Sequence, residues 1–397
     1  MTIVVVGVGA DGWAGLAEAA RAEIAACDVL FGAPRQLGLV PGNVVPETGK
    51  VPWPSPLLPA LDEIFAAHEG KRIGVLASGD PMLSGIGTTL VKRFPDVRVV
   101  PGVSSVALAR ARLGWAAEET EVVSVVGRSP HRVSRALAPG RRILVLGAAP
   151  DEIAALLVAR GFGESAMTVL EQLGGPAERR ADGVARTWSH TAGGLHVLAI
   201  ECAGGPALPL LGLPDDAFEH DGQLTRRDLR AAALARLTPV PGELLWDVGA
   251  GAGSVAIEWS RAHPANRAIA VERDPARAAR ITRNAETLGV PELRVVTGTA
   301  PEALAGLPAP HAVFVGGGLA SVETCWSALL PGGRLVAHAV TLESEQTLAR
   351  AYAAHGGELI RVAIDHAAPL GGFTGWTPGR TVTQWSAAKP TEARGRP

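Results

Sequence analysis

Two glycine turns, about half a chain apart and each directly after an apolar run, constrain this chain more than any other feature. The first is IVVVGVGADG, with Gly7, Gly9 and Gly12; the second is ELLWDVGAGAGS, with Gly249, Gly251 and Gly253. A glycine-rich link between a buried strand and a helix lets the backbone approach a nucleotide-like ligand with no Cβ in the way. Such links belong to α/β folds, whose ligands sit at the carboxyl ends of the strands. The surroundings of the two turns differ, and no internal repeat joins the halves, so fusion of two enzymes is expected rather than duplication. The length of 397 residues suits two domains.

The pattern of the flanking sequence supports α/β in both halves. In the first, β-branched runs at 3–6, 72–77, 98–100, 121–126, 142–146, 166–170 and 196–201 alternate with helical stretches such as LAEAARAEIAAC and DEIAALLVARG. Pro52, Pro54 and Pro56 mark a loop over an edge or a mouth. Aperiodic, Gly/Pro-rich and acidic sequence predicts a linker at about 203–222, between domains 1–205 and 206–397. In the second half, strands are expected at 244–248, 268–272, 294–297, 312–315, 334–340, 359–364 and 381–386. Helices are expected near 255–261, 275–287, 319–329 and 343–355, with GGFTGWTPG as a glycine-rich connection before the last strand. This is a doubly wound sheet ending in an antiparallel strand.

Composition excludes several classes. A net charge of −2 gives no footprint for nucleic acid. The basic residues are nearly all arginine, the lysines being only Lys50, Lys71, Lys92 and Lys389. Cys27, Cys202 and Cys325 are scattered, so neither a disulfide framework nor a metal site is supported. No apolar run reaches the ~20 residues of a membrane span and the start has no basic leader, so a soluble cytoplasmic protein is expected.

The second turn has the richer context. Glu272 ends the next strand, where an acid takes ribose hydroxyls, and Gly298-Thr299-Ala300 ends the third on the same edge. The frame Gly251-Gly253-Ala256 also fits a dinucleotide fingerprint, but Asp247 before the turn and the appended last strand favour S-adenosylmethionine (SAM). LTRRDLRAAALARL, LLWDVGAGAGSVAIEW, AVERDP, GTAPEAL and AVFVGGG resemble the CbiT family, class I SAM methyltransferases of corrin biosynthesis, over about 222–388. The resemblance implies that Thr225 and the loop Gly249, Ala250, Gly251, Ala252 and Gly253 touch SAM. It places Glu272 on the ribose and Gly298, Thr299 and Ala300 on the adenine side. Thr299 stands where the family pattern has Asp.

The first turn, with Asp28 at roughly the distance of a ribose acid, reads alone as a dinucleotide site. ASGDPMLSG and VVPGVSS argue otherwise. They place Gly79, Asp80 and Pro81, then Pro101, Gly102, Ser104 and Ser105, at two further strand ends. Together with Gly7 and Gly9 these loops resemble the tetrapyrrole methylases, class III SAM enzymes of two-lobed α/β fold. SVVGRS and EQLGGPAER resemble the CbiE branch, with Val126 where S-x-H-G-R is expected. The resemblance implies a SAM site between the lobes, against these loops.

In this order the halves resemble the fused precorrin-6Y methyltransferase family. That implies two SAM sites, methylation of C5 by the first half, and methylation of C15 with loss of the C12 acetate carboxyl by the second. The substrate is then a tetrapyrrole rich in carboxylates, for which Arg128, Arg226 and Arg227 are candidate anchors. No triad or metal is expected, and CbiT-type domains imply a homo-oligomer. An NAD-dependent oxidoreductase using the glycine turns is the alternative, and a non-catalytic SAM or tetrapyrrole carrier a third reading. His338 and the tryptophans, including Trp246, Trp259, Trp376 and Trp385, read as core residues.

Overall fold

Glycine at three strand ends lets the first half of the chain close on itself. The computed structural model describes residues 2–391, so the outermost residues of both expected domains lie outside the described residues. The chain divides into two compact units: Met1–Pro130 with Ala136–Pro206, and His131–Arg135 with Ala207–Pro397.

The first unit carries two sheets. One is wholly parallel, in the order β3-β2-β4-β1-β5, from β1 (Thr2–Val8), β2 (Val29–Gly32), β3 (Lys50–Pro52), β4 (Arg72–Ser78) and β5 (Val97–Val100). Its central strands are apolar along their whole length because helices cover both faces; Val4, Val5 and Val6 are buried. The short strands β2 and β3 give too little periodicity to be seen in sequence. Pro52 ends β3 at the sheet edge, where a missing N–H costs no ladder bond.

The second sheet, in the order β6-β7-β10-β8-β9, uses β6 (Thr120–Ser124), β7 (Arg142–Leu146), β8 (Ala166–Glu171), β9 (Arg179–Val184) and β10 (His196–Glu201). Only β6 and β7 run parallel. The edge strand β9, RRADGV, is largely exposed and was invisible as an apolar run.

The tightest point of the unit lies where β1, β4 and β5 end. Gly79 N–H donates to Val8 O at 3.0 Å and Gly102 N–H donates to Gly79 O at 3.1 Å. A Cβ on Gly7 would overlap the Gly79 carbonyl and crowd Gly102 N. Three loops therefore converge only because this position has no side chain.

The second unit is one seven-stranded sheet, in the order β13-β12-β11-β14-β15-β19-β16. Its strands are β11 (Leu244–Val248), β12 (Arg267–Glu272), β13 (Arg294–Thr297), β14 (Ala312–Val315), β15 (Arg334–Ala339), β16 (Glu358–Val362) and β19 (Val382–Ala388). The first five are mutually parallel, and β19 runs antiparallel between β15 and β16. The order reverses between β11 and β14, which is where an open α/β sheet leaves a crevice. The glycine-rich GGFTGWTPG is not a plain connection. It contributes β18 (Phe373–Pro378), paired with β17 (Asp365–Leu370) in a separate hairpin. Trp376 on this hairpin is 74% exposed, so the core reading fails for it, whereas Trp246, Trp259 and Trp385 are buried.

Within the stretch expected as a linker, Leu213 and Phe218 are buried among Ile257, Ala285, Leu288 and Val290. Arg230, on the helix Arg227–Leu237, and Glu258, on the helix Ser254–Ala262, form a fully buried ion pair at 2.6 Å. Glu258 also accepts from Gly212 N–H and Leu213 N–H, and Arg230 donates to Leu213 O and Thr225 O. Both charges are thus saturated by backbone that sequence periodicity could not see. Burial of a charge demands such partners.

Three stability outcomes follow. Gly7→Ala should cost about 1–3 kcal/mol by overpacking. Gly38→Ala, where a Cβ meets nothing within 4 Å, should change little. Glu258→Ala should cost about 3–5 kcal/mol by stranding Arg230. Urea unfolding of the full-length variants, followed by circular dichroism, measures all three.

Candidate active sites

In the second unit the glycine turn is organised by two carboxylates. Gly249 N–H and Ala250 N–H both donate to Val271 O, at 2.9 and 3.2 Å, which pins the loop to the end of β12. Glu272, next along β12, is buried and accepts from Gly251 N–H at 2.8 Å and Asp274 N–H at 3.0 Å. Each oxygen keeps a lone pair for a ligand hydroxyl. Gly251 has φ +60, and a Cβ there would stand 2.7 Å from the Gln223 carbonyl. A Cβ on Gly249 would stand equally close to Gly317. Both positions require glycine for conformation and for space.

Asp247 lies beneath this loop, 1% exposed. Its Oδ2 accepts from Ala256 N–H at 3.0 Å, while Oδ1 has no hydrogen-bond partner. Burial pushes its carboxyl up to about 7; the Ala256 N–H pulls it down and the charge of Glu272 pushes it further up. A buried acid with an unmet acceptor, next to a cleft, fits a cationic ligand.

The cleft itself, about 750 Å³ and open to solvent, is lined by Val248, Gly249, Gly251, Val271, Glu272, Gly298, Thr299 and Ala300. Of the residues expected at this edge, Gly249, Gly251, Glu272 and the 298–300 element meet in the cleft, whereas Gly253 packs against Ile281. The fold also adds Gln223, Arg273, Arg277 and Gly316–Gly318. The last group was legible in AVFVGGG; Gln223 was not, because only the return of the linker carries it there. Ala252 is buried under the loop and accepts from Asn284. Thr225 gives its carbonyl to Arg230 and does not line the cleft. Arg226 pairs with Asp215 at 3.5 Å, and Arg227 N–H donates to Asp215; neither lines the cleft. His338 is buried, hydrogen bonded to Gln384 at 2.9 Å, and burial lowers its pKa.

In the first unit an open cleft of about 490 Å³ runs between the two sheets. Val8, Gly9, Ala10, Ser78, Gly79, Val103 and Ser105 line one wall, and Leu170, Leu173, Leu195, His196 and Val197 the other. Gly9, Gly79 and Ser105 thus meet as expected from the sequence. Gly7 and Gly102 build the floor by close packing rather than by lining. The Asp80 carboxylate accepts from Met82 N–H at 2.8 Å, and Ser104 accepts from Ala107 N–H as the cap of the helix Ser105–Leu113. Pro81 packs against Gly85 and Gly87, and Pro101 is exposed. Arg128 is exposed on the turn after β6 and lines neither cleft. Arg35, which donates to Ser78 Oγ at 3.0 Å, was missed because β2 before it was missed.

The dinucleotide reading of the first turn fails on geometry. Asp28 accepts from Arg72 N–H, at the amino end of β4, whereas the glycine turn leaves the carboxyl end of β1. The helix after the turn is only Gly12–Gly15, too short to present an N-terminus to a pyrophosphate.

Family models for tetrapyrrole (corrin/porphyrin) methylases and for a precorrin methyltransferase domain match residues 2–187 and 216–389. A precorrin-6Y C(5,15)-methyltransferase [decarboxylating] of Sinorhizobium sp is 48% identical over 400 residues, 98% of this chain and 96% of that protein. One of the same name from Mycobacterium tuberculosis (strain CDC 1551 / Oshkosh) is 45% identical over 98% of this chain and all of its own length, 100%. Among solved structures, the C-terminal domain of precorrin-6Y C5,15-methyltransferase from Rhodobacter capsulatus is 48% identical and covers 46% of this chain and 100% of its own, with a TM-score of 0.44. None of these relatives supports the oxidoreductase alternative. With near-complete coverage at this identity, and with a separate cleft in each half, the chain belongs to the decarboxylating precorrin-6Y C(5,15)-methyltransferases.

Proposed function

We propose that the chain methylates C5 and C15 of precorrin-6Y and removes the C12 acetate carboxyl to give precorrin-8. The observation that carries this is the presence of two independent clefts, each at the carboxyl ends of a different α/β sheet, in one chain of this family. The first unit performs the C5 transfer, and the second the C15 transfer and decarboxylation. Each holds its own SAM.

SAM supplies an activated methyl group, and the electron-rich macrocycle supplies the carbon nucleophile. The protein's part is therefore alignment, which is worth up to ~10⁵ M or more in effective molarity when geometry is right. In the second unit, Glu272 holds the ribose and orders Gly251 at the same time. Asp247, buried beneath the loop, would supply in its ionised form a negative charge to favour a cationic cofactor. Thr299 and Ala300 border the adenine side. In the first unit, Gly79, Val103 and Ser105 offer backbone and a hydroxyl on one wall against an opposite wall that is apolar except for His196. Such a wall excludes water from the transfer. Arg128, Arg226 and Arg227 line neither cofactor cleft.

Calorimetry should give two SAM equivalents per chain, and NADH should not bind. Incubation with precorrin-6Y and labelled SAM should add two methyl groups and release CO2, read by mass spectrometry. Gly251→Arg should abolish the C15 transfer and the decarboxylation while sparing the C5 transfer. Val103→Arg, at the exposed rim of the first cleft, should do the reverse. Loss of both activities in either folded variant would refute independent sites.

Asp247 also sets a pH dependence. Its folded pKa of about 7 lies above the ordinary 3.8, so the folded state holds a proton that the unfolded chain has shed. Stability therefore falls as pH rises between those values and is level above them. A bound cation favours the ionised carboxylate, so SAM affinity at the second site should rise between about pH 5.5 and 7.5. The gain should be about tenfold for each unit by which binding lowers that pKa. Titration of Asp247→Asn, which can still accept from Ala256, should give a flat profile.

A further inference from the structure

Between Phe218 and Thr225 the chain brings Gln223 into the wall of the second cleft, and its two ends are fastened in different ways from its middle. At one end, Phe218 is buried, and Asn284 both accepts from Glu219 N–H and donates to Glu219 O, at 2.9 Å each. The same Asn284 amide donates to Ala252 O at 3.0 Å, so this anchor is shared with the glycine loop. At the other end, Leu224 packs on the same apolar cluster, and Arg230 takes Thr225 O at 2.6 Å.

The middle, His220 to Gln223, is different. Its described backbone hydrogen bonds are local: Gly222 N–H to His220 Nδ1, Gln223 N–H to Asp221 Oδ1 and Leu224 N–H to Gly222 O. Gly222 has φ +96, a conformation that lets the segment bend. What ties the segment down is Asp221, paired with Arg277 at 2.9 Å and Arg280 at 3.1 Å. Arg280 and Arg283 also face Glu219, at 3.7 and 2.6 Å. The three arginines recur every three residues on the helix Pro275–Thr287, so one face of it forms a ladder for two carboxylates. Held there, Gln223 lines the cleft, with its carbonyl against Gly251.

We propose that His220–Gln223 is a strap closing the second SAM cleft, and that Asp221 and Arg280 are positioning residues that latch it and so set how long SAM and its demethylated product stay bound. The proposal rests on reading that cleft as a SAM site. The latch is made of part-exposed ion pairs, with Asp221 35% exposed in its side chain. Such pairs are individually weak and screened by salt. That suits a closure that must release product each turnover, unlike the buried Arg230–Glu258 pair nearby.

The test uses the full chain. Hydrogen exchange of the ligand-free protein should show faster exchange at Gly222 and Gln223 in Asp221→Asn and Arg280→Gln, with residues 244–248 unchanged. Stopped-flow dissociation of S-adenosylhomocysteine from the second site, with the first blocked by Val103→Arg, should be about three- to tenfold faster in both variants. Arg280→Lys should restore part of the difference. Raising salt from 0.05 to ~1 M should speed release from the unaltered site and leave Asp221→Asn nearly unaffected. Equal exchange in the strap, or release rates and salt responses equal to those of the unaltered latch, would overturn the proposal. No S-adenosylhomocysteine binding to the unaltered second cleft would instead overturn the cofactor reading, while the exchange comparison still decides whether Asp221 holds the strap.

Discussion

Close approach of backbone to backbone at strand ends is the constraint on which both halves of this molecule depend. At Gly7 three loops share a space that a single methyl group would fill. At Gly249 and Gly251 the same is true of Gly317 and of the Gln223 carbonyl. In each case the absence of a side chain lets two or three βα loops meet, and the meeting forms the cleft. Each cleft is therefore a product of packing as much as of ligand chemistry. A glycine that does not line the cleft, such as Gly7, is as necessary to the packing as one that does.

The electrostatics of the second site follow from that packing. Loop closure buries Asp247 and brings Glu272 under the Gly251 N–H. One carboxylate is then well served by backbone donors, and the other keeps an oxygen unmet. The two acids differ in their hydrogen-bond environments, although they stand on neighbouring strands of one sheet. Asp247 carries a pKa near 7 through desolvation first.

The stretch before the second sheet adds a level of organisation that composition concealed. Gly, Pro and acidic residues without periodicity read as a tether. Yet Leu213 and Phe218 occupy an apolar cluster, and Arg230 and Glu258 hold the backbone on either side. Aperiodic sequence reports only that a segment is neither helix nor strand. Here side-chain charges rather than a hydrogen-bond ladder fix its path, so no repeat is left in the sequence. The strap over the cleft is the part of this path with the weakest attachments.

Long parallel strands, the glycine turns behind them and the acid at the end of β12 were legible because each is a local pattern with a fixed period or spacing. Those patterns pointed to two α/β halves and to the strand ends at which Gly249, Gly251, Glu272 and residues 298–300 line one cleft. The short strands β2 and β3, the exposed edge strand β9, and the hairpin built from a glycine-rich stretch were not legible, since few residues or an exposed face leave no periodicity. The candidate arginines failed to reach either cleft for a related reason: a guanidinium's partner is chosen by tertiary neighbours, and Asp215 claims Arg226. Sequence alone therefore determined which loops could approach a ligand, because glycine's freedom is a property of the residue itself. Only the tertiary structure decided which side chains complete the clefts, with Gln223, Arg35 and His196 entering them and Asp28 left at the wrong end of its sheet. Those placements depend on strand order and loop return, which no local sequence window encodes.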